Sequence, residues 1–122
     1  MNIEQQVVSL ELAKQLKDAG YPQEGLWWWV YTTVEYPKKH WEFVVSMEPR
    51  TFSEYKDIYV APTVAELGKI LRDDCFSYRT REQIWYCYGK IGSGMYSQEA
   101  DTEADARAKM LLYLHKEGLI KW

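Results

Sequence analysis

Three tryptophans stand in a row at Trp27, Trp28 and Trp29, inside Leu26-Trp-Trp-Trp-Val-Tyr31. Bulky aromatic and β-branched residues of this kind suit an extended strand. Successive strand side chains point to opposite faces of a sheet, so the three rings cannot share one pocket. Trp27, Trp29 and Tyr31 fall on one face, and Trp28, Val30, Thr32 and Val34 on the other. A chain with this segment must cover both faces of its sheet or leave aromatic surface for a partner. Aromatic residues make up 16% of the 122 positions, enough to serve both a core and a recognition surface.

Around that strand the local signals are ordered. Ser9 reads as the N-cap of a helix through Leu10-Glu-Leu-Ala-Lys-Gln-Leu-Lys-Asp-Ala19, which Gly20 ends and Tyr21-Pro22 keeps from continuing. Leu26 to Glu35 and Trp41 to Met47 read as two antiparallel strands joined by the loop Tyr36 to His40, and Tyr55 to Ala61 as a third. Thr63-Val-Ala-Glu66 has the form of a capping box and opens a helix to about Leu71, with Val64, Leu67, Ile70 and Leu71 on its apolar face. Gly68 weakens that helix by ~1 kcal/mol relative to alanine unless close packing needs a small residue there. Glu82 to Lys90 reads as a fourth strand, Gly92-Ser-Gly94 as a turn, and Met95 to Gln98 as a short fifth strand. Thr102-Glu-Ala-Asp105 opens a last helix whose Ala104, Ala108, Leu111, Leu112 and Leu114 form an apolar face before Gly118.

This order predicts one α+β domain spanning residues 1–122, a largely antiparallel four- to five-stranded sheet with about three helices packed on one face. A doubly wound parallel sheet is disfavoured, because parallel neighbours need a crossover that the first two strands lack. The length is enough to fold on one core without disulfide or metal.

Candidate chemistry is sparse. His40 and His115 are the only histidines, and Cys75 and Cys87 form no CxxC, so no metal-ligand spacing emerges and no cofactor is expected. His115 near a helix end suits the final carbonyls, and His40 sits beside Lys38 and Lys39 in a loop. Gly92-Ser93-Gly94 lacks the GxSxG frame of a hydrolase elbow, and Gly89-Lys90-Ile91 lacks the P-loop pattern. Asp73-Asp74 and the acidic run from Glu99 to Asp105 read as solvated helix ends. A net charge of −3 opposes broad attraction to phosphates, and Trp85-Tyr-Cys-Tyr-Gly89 does not match an RNA-binding strand signature. No apolar run approaches the ~20 residues of a membrane span and Met1-Asn-Ile-Glu lacks a signal-peptide start, so a cytoplasmic protein without a membrane partner is expected.

Ser9-Leu-Glu-Leu-Ala-Lys-Gln-Leu-Lys-Asp-Ala-Gly-Tyr-Pro-Gln23, Ala61-Pro-Thr-Val-Ala-Glu-Leu67 and Ala104-Asp-Ala-Arg-Ala-Lys-Met-Leu-Leu-Tyr-Leu-His-Lys-Glu-Gly-Leu-Ile120 resemble segments of small uncharacterised proteins of bacteriophages, prophages and other mobile elements. The resemblance implies a phage or prophage origin in a bacterial cytoplasm and carries no activity with it.

The leading functional expectation is a non-catalytic binding protein that holds a protein partner or a second copy of itself through aromatic sheet surface. Trp27, Trp29 and Tyr31, joined by Tyr86 and Tyr88, are the candidate partner-binding residues. The alternative is a small-ligand protein or enzyme with a pocket of tyrosines and acids. A nucleic-acid binder ranks third, since it would need a basic strip beside the tyrosines.

Overall fold

The computed structural model of the protein describes residues 5–32, 40–45, 58–71, 75–91 and 94–122, and at 31, 32, 40–45 and 91 it describes the backbone. The elements run α1 (Leu10–Asp18), β1 (Trp27–Thr32), β2 (His40–Val45), β3 (Ile58–Val60), α2 (Val64–Leu71), β4 (Cys75–Arg79), β5 (Trp85–Ile91), β6 (Gly94–Ala100) and α3 (Glu103–Lys116). The loop expected at 36–40, strand residues expected beyond 32 and 45 and before 58, Asp73-Asp74 and the turn residues 92–93 lie outside the described residues, apart from the backbone of His40.

The helix boundaries follow the local signals. Thr63 and Glu66 form the capping box: the Glu66 amide donates to Thr63 Oγ1 at 3.2 Å and the Thr63 amide to Glu66 Oε1 at 3.1 Å. Thr102 Oγ1 accepts the Asp105 amide at 3.2 Å at the start of α3. At the other end, Gly118 takes φ +73°, its amide donating to the His115 carbonyl and that of Leu119 to the Leu114 carbonyl. Gly20, at φ +93°, closes α1 in the same Schellman pattern, with Tyr21 bonded back to Leu16. Ser9 occupies the N-cap position of α1, but its hydroxyl makes no capping bond. Its own amide instead donates to Asp105 Oδ1 at 2.7 Å, tying the start of α1 to α3.

The domain is α+β, but its strands do not form the single four- to five-stranded sheet expected. Among the described residues they divide into two antiparallel three-stranded sheets, ordered β2-β1-β3 and β4-β5-β6. β1 is hydrogen-bonded on both edges, opposite β2 and β3, which leaves the later strands to pair among themselves. β4, absent from the expected strands, pairs with β5 across a short loop in which the Thr80 amide donates to the Ile84 carbonyl and Gln83 adopts φ +67°.

One buried cluster joins residues from both sheets and all three helices. α3 is its axis, packed on β4, β5 and β6 and against α1 and α2. Ala104, Ala106, Ala108, Met110, Leu111 and Leu114 are all fully buried there. The buried surface is wider than the expected stripe because α3 has protein on more than one side, so Met110 and Ala106 are enclosed as well.

Both faces of β1 are engaged. Trp28 and Val30 are buried on one, together with Val60 of β3. On the other, Trp29 donates its indole N–H to the Val8 carbonyl at 3.0 Å, and Lys17 of α1 stands 5.1 Å above the ring of Tyr59, the residue paired with Trp29. The helices thus do not all gather on one side of one sheet.

Gly68 faces the Arg107 guanidinium, which holds Ser77 Oγ at 3.1 and 3.0 Å, Glu103 Oε2 at 3.2 Å and the Val64 carbonyl at 3.4 Å. A Cβ at Gly68 would stand 2.6 Å from Arg107 Nη1. Gly68→Ala is therefore expected to destabilise the wild-type chain, as guanidinium bonds are displaced, by about 1 kcal/mol. In an Arg107→Ala background the same change should stabilise by about 0.5–1 kcal/mol through helix propensity alone. Urea titrations of the four chains measure the sign change, and the same sign in both backgrounds would show that Arg107 does not hold the position.

Candidate functional site

Alternation along the second sheet divides it into two unlike faces. Cys75, Ser77, Trp85, Cys87, Tyr96 and Ala100 point toward α3; Cys75 and Cys87 are buried, Ser77 meets Glu103 and Arg107, and Tyr96 lies 5.4 Å from the Tyr113 ring. The opposite face carries Phe76 and Tyr78 from β4, Tyr86, Tyr88 and Lys90 from β5, and Met95, Ser97 and Glu99 from β6.

On that outer face the register sets Phe76 opposite Tyr88 and Tyr78 opposite Tyr86. Their rings form one cluster. Phe76 and Tyr88 lie 5.3 Å apart between centroids, Tyr78 and Tyr86 stack at 5.4 Å with planes 12° apart, and Phe76 and Tyr78 are 6.1 Å apart. Such cross-strand pairs stabilise a hairpin by ~0.2–1 kcal/mol each. Yet Phe76 remains 54% exposed, Tyr78 44% and neighbouring Met95 66%. The charges sit at opposite ends: exposed Lys90 is paired with Met95, and exposed Glu99 with Tyr86. The Glu99 carboxylate raises the Tyr86 phenol above its ordinary value, so that hydroxyl stays protonated and able to donate.

The five candidate residues therefore fall on two sheets. Tyr86 and Tyr88 lie in the exposed cluster. Trp27 and Trp29 are partly buried on β1, with the Trp29 indole engaged by Val8, and Tyr31 contributes backbone opposite Trp41, its side chain lying outside the described residues. Phe76, Tyr78 and Met95 are not among the candidates. The signal for the first two is present in Cys75-Phe-Ser-Tyr-Arg79, where aromatics alternate with smaller or polar residues at period two.

Two clefts lie away from the cluster. One of about 510 Å³, beside the β4–β5 loop, is lined by Arg79, Gln83, Trp85, Asp101 and Glu103. Two of its charged groups already have partners: Glu103 binds Arg107 and Ser77, and Arg79 sits 5.8 Å over the Trp85 ring. The other, about 430 Å³, is lined by Glu11, Glu99, Asp101, Asp105 and Lys109. There Lys109 donates to the Glu99 carbonyl at 2.8 Å. Among the described residues no tyrosine lines either cleft. Burial pushes the Cys87 thiol up to about 12, which keeps it protonated and poorly nucleophilic at neutral pH. Among the described residues no group of three or more His, Cys, Asp or Glu could hold a metal ion, and no helix is long and apolar enough to cross a membrane.

Burial raises the carboxyl of Asp105 above the usual aspartate value, only partly offset by the hydrogen bond from Ser9. The folded state then holds this proton more tightly than the unfolded state, so stability falls as pH rises from the unfolded to the raised folded value, and the loss persists above it. Asp105→Asn, whose amide oxygen can still accept the Ser9 N–H, should gain stability relative to wild type as pH rises from acid to neutral. Unfolding curves across that range check the sign, and a difference independent of pH would contradict it.

Comparison of the chain with protein-family models, curated proteins and solved structures gives no significant match. Its site is thus defined by its own geometry: an α+β domain presenting an aromatic sheet face.

Proposed function

We propose that the protein is a small non-catalytic binding protein of phage or prophage type, and that the outer face of β4, β5 and β6 holds a protein partner or a second copy of the chain. The observation that carries the reading is the four-ring cluster of Phe76, Tyr78, Tyr86 and Tyr88, with Phe76 54% exposed although its ring packs on those of Tyr78 and Tyr88. Water-facing aromatics contribute little to folding but are favoured anchors in interfaces, where their burial is gained on binding. Preorganisation supports the same reading. Rings already packed on one another in a paired sheet lose little rotamer freedom when a partner arrives.

The test is capture of interacting proteins from a bacterial host, with wild type against Phe76→Ser and Tyr78→Ser. These changes should cost little more than the ~0.2–1 kcal/mol of the cross-strand pair that each breaks. Loss of a central anchor should weaken binding by about 2 kcal/mol or more, roughly thirtyfold. Undiminished binding by both variants would move the functional surface elsewhere on the molecule.

A further inference from the structure

We propose that the occupant of the outer face of β4, β5 and β6 is a second copy of this chain, docked face to face about a two-fold axis lying across the strands, so that Lys90 of each copy meets the Tyr86–Glu99 end of the other. The inference rests on the reading of this face as a binding surface and adds the partner and its register.

A two-fold contact uses the same patch twice, so the patch must be complementary to itself when turned end for end. The outer face has that pattern along its strands. Lys90 and Met95 form one end, Phe76, Tyr88 and Ser97 the middle row, and Tyr78, Tyr86 and Glu99 the other end. Lys90 lies four residues from Tyr86 on β5, a separation of ~14 Å at strand rise. A two-fold axis through the middle row superposes one end on the other. Each Lys90 ammonium then stands over the partner's Tyr86 ring and beside the partner's Glu99 carboxylate, and the central Phe76 and Tyr88 rings meet their own copies. The arrangement offers two cation–π contacts and two ion pairs around an apolar centre. An axis along the strands would instead bring the two Lys90 side chains together.

The area suits a modest dimer. With large side chains burying ~150–250 Å² each, the exposed fractions of Phe76, Tyr78 and Met95 amount to on the order of 300 Å² per copy, to which the exposed Lys90, Ser97 and Glu99 add their own surface. Twice the area of those three side chains is on the order of 600 Å², so the flanking Lys90, Ser97 and Glu99 are needed to bring the contact to the low end of specific interfaces, where association is weak and concentration-dependent. The preformed sheet favours such a contact, because the docking face is held by backbone pairing in each copy.

Charge reversal tests the register. Sedimentation velocity over a concentration series should show wild type passing from monomer to dimer. Lys90→Glu and Glu99→Lys should each weaken the homodimer at least tenfold, since each replaces two attractive contacts with two repulsive ones. Mixing the two variants should restore a heterodimer, because position 90 of each chain then faces the opposite charge at position 99 of the other. The doubly reversed chain should again pair with itself. Both substitutions are at exposed positions, and unfolding curves verify that the variants fold. A wild-type monomer at millimolar concentration, or a dimer indifferent to both reversals, would overturn the proposal. The wider reading fails separately: a monomeric chain that still captures a host protein through Phe76 remains a binding protein with a different occupant.

Discussion

Leu111→Ala should lower the free energy of unfolding by about 2–5 kcal/mol, among the larger effects of a single truncation in this fold. Leu111 is fully buried in α3, the helix packed on the second sheet as well as on α1 and α2. Removing its isobutyl group loses the transfer free energy of the deleted carbons and leaves a cavity that neighbours on several elements cannot all move to fill. Leu112, one position on, is only partly buried, so Leu112→Ala should cost visibly less. Paired urea titrations measure the contrast. Equal losses at the two positions would mean that α3 is not turned toward the core as described. The expected loss is a large fraction of the ~5–15 kcal/mol that stabilises a domain of this size.

What can be read from the residues follows the range of the interactions involved. Helix ends depend on contacts a few residues apart, and Thr63 with Glu66, Thr102 with Asp105, Gly20 and Gly118 all occupy the expected roles. Strand parity is also local, and Trp28 with Val30 does lie on a buried face opposite Trp29. Pairing is different. Period two tells which side chains share a face but not which strand lies alongside, so the division into two sheets has no local signature. Cys75–Arg79 is five residues long and follows the charged sequence Arg72-Asp-Asp74, which hides a strand that pairs with β5. The exposed cluster is only partly legible for the same reason. Tyr86 and Tyr88 show as alternating aromatics, whereas Phe76 and Tyr78 join them only once the hairpin register is known. The bond from Ser9 to Asp105 spans 96 positions and cannot be found from spacing at all.

Trp29 illustrates how a nonlocal contact changes the expected effect of a mutation. Its place beside Trp27 and Tyr31 suggests an interface anchor whose loss would affect association more than folding. In the structure the ring is partly buried against the core, and its indole N–H donates to the Val8 carbonyl across 21 positions. Trp29→Ala should therefore destabilise the fold by about 3 kcal/mol, at the lower end for tryptophan truncation because burial is incomplete. Part of the loss comes from the carbonyl of Val8, left without its indole donor, in a segment whose amide is bonded to the Pro62 carbonyl. Trp29→Phe separates the two contributions, restoring most of the packing without the donor, and should recover more than half of the loss. Phe76→Ser supplies the reciprocal case, with association weakened and unfolding little changed. Measured side by side, unfolding curves and sedimentation should assign Trp29 to the fold and Phe76 to the binding face. A Trp29→Ala chain as stable as wild type but impaired in association would return the interface to β1.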